Sequence, residues 1–163
     1  MVTAMPVVGE LAPEFQLVDS SGKKVGLSDF RGKIVAIYFY PKDFTPGCTT
    51  QACNLRDNFS ELKKNGVVVL GVSTDDSGSH KRFSEKYSLP FELLADKDAK
   101  VSKAYGVFVE KDFAGKKFFG VKRTTFVVGK NGKLLGVIDQ VKTDDHARQV
   151  LSVLEKSSSL KTH

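Results

Sequence analysis

Two apolar runs of strand length, residues 34–40 (IVAIYFY) and 67–73 (VVVLGVS), constrain this chain more than any other feature, because neither alternates polar with apolar residues. Strands of that kind are covered on both faces, as in sheets that carry helices on either side. Between the runs, Ala52, Leu55, Phe59 and Leu62 recur at spacings of three and four, which predicts one helix from Cys48 to the Asn65-Gly66 stop. Strand, helix and strand therefore form the centre of the expected fold.

The flanks follow the same logic. Residues 15–18 and 24–27, separated by Asp19-Ser20-Ser21-Gly22, predict an N-terminal β-hairpin. Residues 79–87 have helical character, 91–94 read as a short strand, and 99–105 as a short helix stopped by Gly106. Residues 124–128 and 134–138 flank an Asn131-Gly132 turn signal and predict a second hairpin. Ala147, Val150, Leu151 and Leu154 mark a last helix, with Thr143 or Asp144 as N-cap. The pattern assigns no course to residues 107–119. The expected class is α/β, a mixed central β-sheet flanked by helices. With 163 residues against roughly 150 per domain, residues 1–163 read as a single domain whose polar tail, 157–163, is frayed.

Composition excludes several classes. A hydrophobic fraction of 40% with 27% charged residues is ordinary for a globular chain, and two cysteines are too few for a disulfide scaffold. No apolar run approaches the roughly 18 residues of a membrane span, so no membrane partner is expected. The net charge of +6 is scattered in isolated pairs (Lys23-Lys24, Lys63-Lys64, Lys116-Lys117), which reads as solvated surface rather than a nucleic-acid footprint. The N-terminus lacks a secretory or transit pattern. A cytoplasmic location follows as the default, although a mature organellar chain already relieved of its targeting peptide would look the same.

Chemistry is concentrated where the strand at 34–40 passes into the helix, in Pro41-Lys42-Asp43-Phe44-Thr45-Pro46-Gly47-Cys48-Thr49-Thr50-Gln51-Ala52-Cys53. The first N–H groups of a helix have no intrahelical partner and carry the positive end of its dipole, which favours a thiolate at Cys48. Thr45 offers a hydroxyl nearby. Cys48 also fits as a small buried hydrophobe four residues before Ala52, on the same face. Cys53 stands five residues on, which on an ideal helix separates the two Cα atoms by about 8 to 9 Å. A disulfide tolerates at most about 7 Å. Either the cysteines never pair, or the start of the helix unwinds when they do.

Other uses of two cysteines are poorly served. A closed zinc site needs four ligands, and His80, His146 and His163 show no paired spacing near the thiols. There is no Cys-x-x-Cys, phosphate loop, dinucleotide fingerprint or nucleophile elbow. If residues 124–128 run beside 34–40, Arg123 reaches the Cys48 turn; otherwise it is an ordinary strand-end arginine.

The set Pro41-x-x-x-Thr45-x-x-Cys48, with Cys53 five residues later, resembles the active-site signature of the peroxiredoxins, and of their Q subgroup, also called bacterioferritin comigratory protein. Leu27-Ser28-Asp29-Phe30-Arg31-Gly32-Lys33, Gly71-Val72-Ser73, Ser79-His80-Lys81, Leu89-Pro90-Phe91 and Arg123-x-Thr125-Phe126 extend the resemblance along nearly the whole chain. It implies a thioredoxin-like fold and a thiol peroxidase without metal or organic cofactor, acting on hydrogen peroxide and organic hydroperoxides. By the same resemblance Cys48 is the peroxidatic nucleophile, Cys53 resolves its sulfenic acid, Thr45 bonds sulfur and peroxide, Arg123 holds the thiolate, and Pro41 shields the pocket. Thioredoxin or glutaredoxin is the implied reductant, and a monomer the implied state. Two readings from the residues compete: a thioredoxin-like dithiol exchanger without peroxidase activity, and a basic nucleic-acid-binding protein with incidental cysteines.

Overall fold

The computed structural model describes residues 4–161. The apolar runs become the neighbouring parallel strands β3 (Ile34–Phe39) and β4 (Val67–Ser73), paired from Ile34↔Val67 to Phe39↔Val72. Parallel pairing demands a crossover, supplied by helices α1 (Pro46–Asp57) and α2 (Phe59–Lys64). A second crossover, α3 (Ser77–Tyr87), leads to β5 (Glu92–Ala95), parallel to β4. The N-terminal hairpin, β1 (Gln16–Val18) and β2 (Lys24–Gly26), joins the β5 edge antiparallel. After the short α4 (Lys100–Ala104) and an outlying ribbon, β6 (Phe108–Phe113) with β7 (Lys116–Val121), the chain adds β8 (Thr124–Val128) and β9 (Leu134–Ile138), and it ends in α5 (His146–Lys161). The seven-stranded mixed sheet has the order β2-β1-β5-β4-β3-β8-β9.

Strand periodicity sorts β3 onto two cores. Ala36, Tyr38 and Tyr40 face the layer that contains Cys48, Ala52, Leu55, Phe83 and Val150, while Val35, Ile37 and Phe39 face Val101, Tyr105 and Phe126. Gly71 makes room for this packing, because a Cβ there would lie 2.7 Å from Leu93 Cδ2 and 2.8 Å from the ring of its register partner Tyr38. The hairpin β8–β9 places β8 antiparallel to β3, with Phe39↔Thr124 at the end from which α1 departs. That register brings Arg123 to the start of α1.

The structure departs from the sequence reading in four places. The helix expected from Cys48 to Asn65 is broken at Asn58 (φ −109°, ψ 13°), whose side-chain amide and backbone N–H both donate to the Asn54 carbonyl. Such local side-chain bonding competes with the helical ladder. Residues 107–119 enter the β6–β7 ribbon, turning at Ala114 (φ 55°) and Gly115 (φ 79°). Two successive positive φ values are what a tight hairpin turn needs, but the exposed Phe113, Phe118 and Phe119 blur the burial pattern that reveals strands.

Neither Thr143 nor Asp144 caps α5. The helix begins at His146, and Asn54 of α1 serves its entrance, accepting from the Ala147 N–H at 2.8 Å and donating to the Asp144 carbonyl at 2.8 Å. The tail read as frayed over 157–163 is helical as far as Lys161, since extending a helix that packed turns have nucleated adds little cost per residue. Residues 162 and 163 lie outside the described residues.

Candidate active site

Helix α1 opens as its sequence requires. Thr45, in extended geometry (φ −73°, ψ 151°), is the N-cap, Pro46 takes the first helical position where a missing N–H costs nothing, and Cys48 falls in the first turn. The first ladder bond runs from the Thr49 N–H to the Thr45 carbonyl (2.9 Å), so the N–H groups of Gly47 and Cys48 stand ahead of the ladder. Two donors outside the ladder and the positive helix end therefore belong to the turn that carries the sulfur. Pro41, half-buried, forms the bend immediately after Tyr40, where the chain leaves the sheet. The Thr45 hydroxyl donates to the Lys42 carbonyl at 2.8 Å and not to the Cys48 sulfur.

Cys48 is buried (1% exposed), and Arg123 Nη2 reaches its Sγ at 3.4 Å. The other guanidinium nitrogen, Nη1, donates to Gln51 Oε1 at 2.6 Å, so Arg123 bridges the sulfur and a side chain one turn further along α1. A Cβ on Gly47 would stand 3.0 Å from Nη2; glycine leaves the guanidinium its place. Cys53 is half-buried on the same helix, and both thiols are free. With α1 continuous from Pro46 to Asp57, an ideal helix keeps the two Cα atoms about 8 to 9 Å apart, beyond disulfide reach.

Behind the loop lies a buried polar knot. Asp43 Oδ1 accepts from the Tyr40 hydroxyl (2.6 Å), Oδ2 accepts from Ser79 (2.9 Å) and meets His80 Nδ1 at 2.7 Å, and the Asp43 N–H donates to Asp75 Oδ2 (2.8 Å). Asp43, Asp75 and His80 have the ligand types of a cation site, with donor atoms within 4.8 Å of one another. The contacting carboxylate oxygens and both ring nitrogens of His80 are instead engaged with one another and with Ser73, Ser79, Tyr40 and the Leu94 carbonyl.

The arrangement is a buried thiol beneath a guanidinium at a helix N-terminus, with a second thiol on the same helix. A model of the AhpC/TSA family matches residues 8–137, a span that holds every one of these groups. The chain belongs to the AhpC/TSA family. It is 49% identical to "Peroxiredoxin Bcp" of Escherichia coli strain K12 over 148 residues, covering 91% of this chain and 95% of the relative. "Peroxiredoxin Bcp" of Bacillus subtilis strain 168 is 41% identical, with 93% and 96% covered. Among solved structures, Mycobacterium tuberculosis peroxidoxin BcpB superposes with a TM-score of 0.82 at 33% identity, covering 93% of this chain and 97% of that one. Xanthomonas campestris bacterioferritin comigratory protein, described with an alkyl peroxide reduction activity, gives 0.82 at 37% identity, covering 87% and 90%. The molecule is thus a Bcp-type thiol peroxiredoxin with a thioredoxin-like fold. Among the described residues no helix is long and apolar enough to cross a membrane.

Several residues of this peroxiredoxin site carried no role in the sequence reading. Gln51 had a usable signal, since three residues after Cys48 it shares the helix face of the sulfur. Its Nε2 is buried without a partner among the described residues, as is the Tyr38 hydroxyl. Burial first, and then the charges of Asp43 and Cys48, hold the Tyr38 phenol well above its ordinary range, so it stays protonated beside the site. Lys111, on the ribbon, donates to the Val121 carbonyl; burial and then the nearby Arg123 lower the proton affinity of its ammonium. Asp43 and His80 lie 37 residues apart, and no spacing rule links them.

Proposed function

We propose that Cys48 is the peroxidatic nucleophile, and that the proximity of Arg123 Nη2 to its buried sulfur, 3.4 Å, is the observation that carries this reading. The Cys48 thiolate attacks one peroxide oxygen, the O–O bond breaks, and the departing oxygen takes a proton and leaves as water or an alcohol, so that Cys48 becomes a sulfenic acid. Arg123 and the N–H groups ahead of the α1 ladder face the charge that develops on the two oxygens. Thr45 has committed its proton to Lys42, which leaves its oxygen lone pairs to accept from a hydroperoxide O–H. Pro41 closes the side of the pocket next to Tyr40.

Resolution is assigned to Cys53. The first turns of α1 unwind, the Cys53 sulfur attacks the sulfenic sulfur, water leaves and an intramolecular disulfide forms. A thioredoxin-like dithiol, or a glutaredoxin, then reduces the disulfide by exchange. A monomer, which the subgroup resemblance implies, is the working unit in this reading. The reading covers hydrogen peroxide and organic hydroperoxides, the latter supported by the activity described for the Xanthomonas protein. A cycle that ends in dithiol exchange suits a reducing compartment such as the cytoplasm.

The test is a stopped-flow titration of the reduced protein with hydrogen peroxide and no reductant, followed by a thiol count and an intact mass. Loss of both thiols and about two mass units per equivalent of peroxide, much faster than for a free cysteine, is the expected result. Slow oxidation with both thiols retained overturns the reading in favour of a dithiol exchanger.

A further inference from the structure

We propose that the buried Asp43–His80 pair is a positioning device for Cys48: by sharing a proton between carboxylate and imidazole, it fixes the loop that delivers Thr45 and Cys48 to Arg123. The proposal rests on the peroxidase reading above and names residues to which that reading gave no role.

The loop needs such a device. Phe44 adopts φ 67°, a left-handed conformation that an L residue with a bulky side chain rarely takes, and it stands directly before the N-cap Thr45. A conformation of this kind persists only where its surroundings over-determine it. On its C-terminal side the Thr45 hydroxyl is tied to Lys42, and the Phe44 ring packs edge-on against Phe83 at 5.0 Å. On its N-terminal side the tie is Asp43, held through its backbone by Asp75 and through its carboxylate by Tyr40, Ser79 and His80.

Proton accounting gives the pair its strength. The Leu94 carbonyl can only accept, so His80 Nε2, 3.1 Å away, carries a hydrogen. Nδ1 then faces a carboxylate oxygen at 2.7 Å, and two lone pairs cannot meet at that distance, so a second proton lies between them. Both side chains are almost wholly enclosed, 0% exposed for His80 and 1% for Asp43, where a hydrogen bond of this kind gains from the low local dielectric. The pair thereby joins the loop to α3 and, through Leu94, to β5. The titratable groups around it are Tyr38 on β3, Tyr40 just after it, Asp75 and Asp76 after β4, and the two partners themselves. Its named partners do not include the Cys48 sulfur, so its effect runs through the loop.

A positioning role makes a kinetic prediction that loss of fold stability alone does not. Attack on peroxide needs α1 wound and the loop in place, whereas disulfide formation needs the start of α1 to open. Loosening Asp43 should slow the first step and spare the second. Asp43→Asn keeps the shape and can accept from Tyr40 and donate to Nδ1, but it removes the shared proton. His80→Gln is the second variant, and it leaves the Asp43 carboxylate its bonds from Tyr40 and Ser79.

The experiment follows the reduced full-length protein with hydrogen peroxide by rapid quench and mass, resolving sulfenic acid formation from disulfide formation. Alongside, nitrogen-15 imidazole spectra count the ring N–H groups of His80 at neutral pH. In both variants the first rate constant is expected to fall about ten-fold to a hundred-fold, the cost of small misplacements at a reacting centre, with the second not slowed. Wild-type His80 should carry two ring N–H groups and the Asp43→Asn protein one. The proposal is overturned if both steps slow in the same ratio, if the first step is unchanged, or if wild-type Nδ1 is bare. Should wild-type Cys48 itself react no faster than a free cysteine, the peroxidase reading fails first and the proposal with it.

Discussion

Arg123 Nη2 lies 3.4 Å from the sulfur of Cys48 although 75 residues separate the two in sequence, and the antiparallel register Phe39↔Thr124 is what joins them. The other nitrogen of the fork is held by Gln51 at 2.6 Å, so the guanidinium is fixed from two sides. Lysine keeps the charge but replaces the rigid planar fork, whose two nitrogens meet the two partners separately, with a compact ammonium on a flexible stem. Arg123→Lys is expected to lower the rate constant for reaction with hydrogen peroxide by about a hundred-fold to a thousand-fold, on the scale of losing one preorganised donor. A stopped-flow rate equal to that of the wild type would show that charge alone suffices.

Gly47 separates catalysis from stability. Gly47 is the second residue of α1 and its backbone is one that alanine adopts, so Gly47→Ala removes freedom from the unfolded chain and is expected to leave the thermal midpoint unchanged or slightly raised. The added Cβ would meet Nη2 at 3.0 Å and push the guanidinium from the sulfur. Peroxide reactivity should therefore drop while the fold does not weaken. Parallel melting curves and stopped-flow traces check this; loss of stability without loss of rate would contradict it.

Much of this was legible in the chain because local rules dominate there. Strands β4, β8 and β9 coincide with their apolar runs, and Pro46, Gly47 and Cys48 announce a helix entrance, since each of these signals acts within a few residues. What escaped depends on partners distant in sequence. Asn54 caps α5 across 93 residues, and His80 finds Asp43 across 37. The β6–β7 ribbon escaped for a different reason: Phe113, Phe118 and Phe119 face outward, so alternation carries no burial signal there. Thr45 stands at the N-cap of α1, yet its hydroxyl is directed by the Lys42 carbonyl, an acceptor that the motif does not encode.

Asn54, next to Cys53, ties α1 to the entrance of α5 by two hydrogen bonds of 2.8 Å each. Asn54→Ala leaves the Ala147 N–H without its cap and the Asp144 carbonyl without its donor. A loss of about 1 to 2 kcal/mol is expected, the usual cost of removing a helix cap in a protein. Urea unfolding of the reduced protein measures it, with an unchanged slope showing that the midpoint shift reports stability. No shift in midpoint would mean that water replaces both bonds at no cost.

His146 gives the fold a dependence on pH. Its Nδ1 lies 2.8 Å from Gln149 Oε1 and its Nε2 2.7 Å from Thr125 Oγ1, an arrangement that suits a neutral ring donating from Nδ1 and accepting at Nε2. Burial lowers its pKa below the ordinary 6.5; the Gln149 bond opposes that shift and the charge of Arg123 adds to it. In the unfolded chain the imidazole takes up a proton as the pH falls through about 6.5, whereas the folded protein resists protonation until the pH is lower. The contribution of His146 is therefore present above about 6.5 and declines as the pH drops towards the lowered folded value. His146→Gln, which can still bond Thr125 or Gln149, should be less stable than the wild type at pH 7.5, and the gap should narrow on going to pH 5. Urea midpoints of both proteins across that interval decide the matter, and a gap that stays constant or widens towards acid would rule out a neutral buried His146.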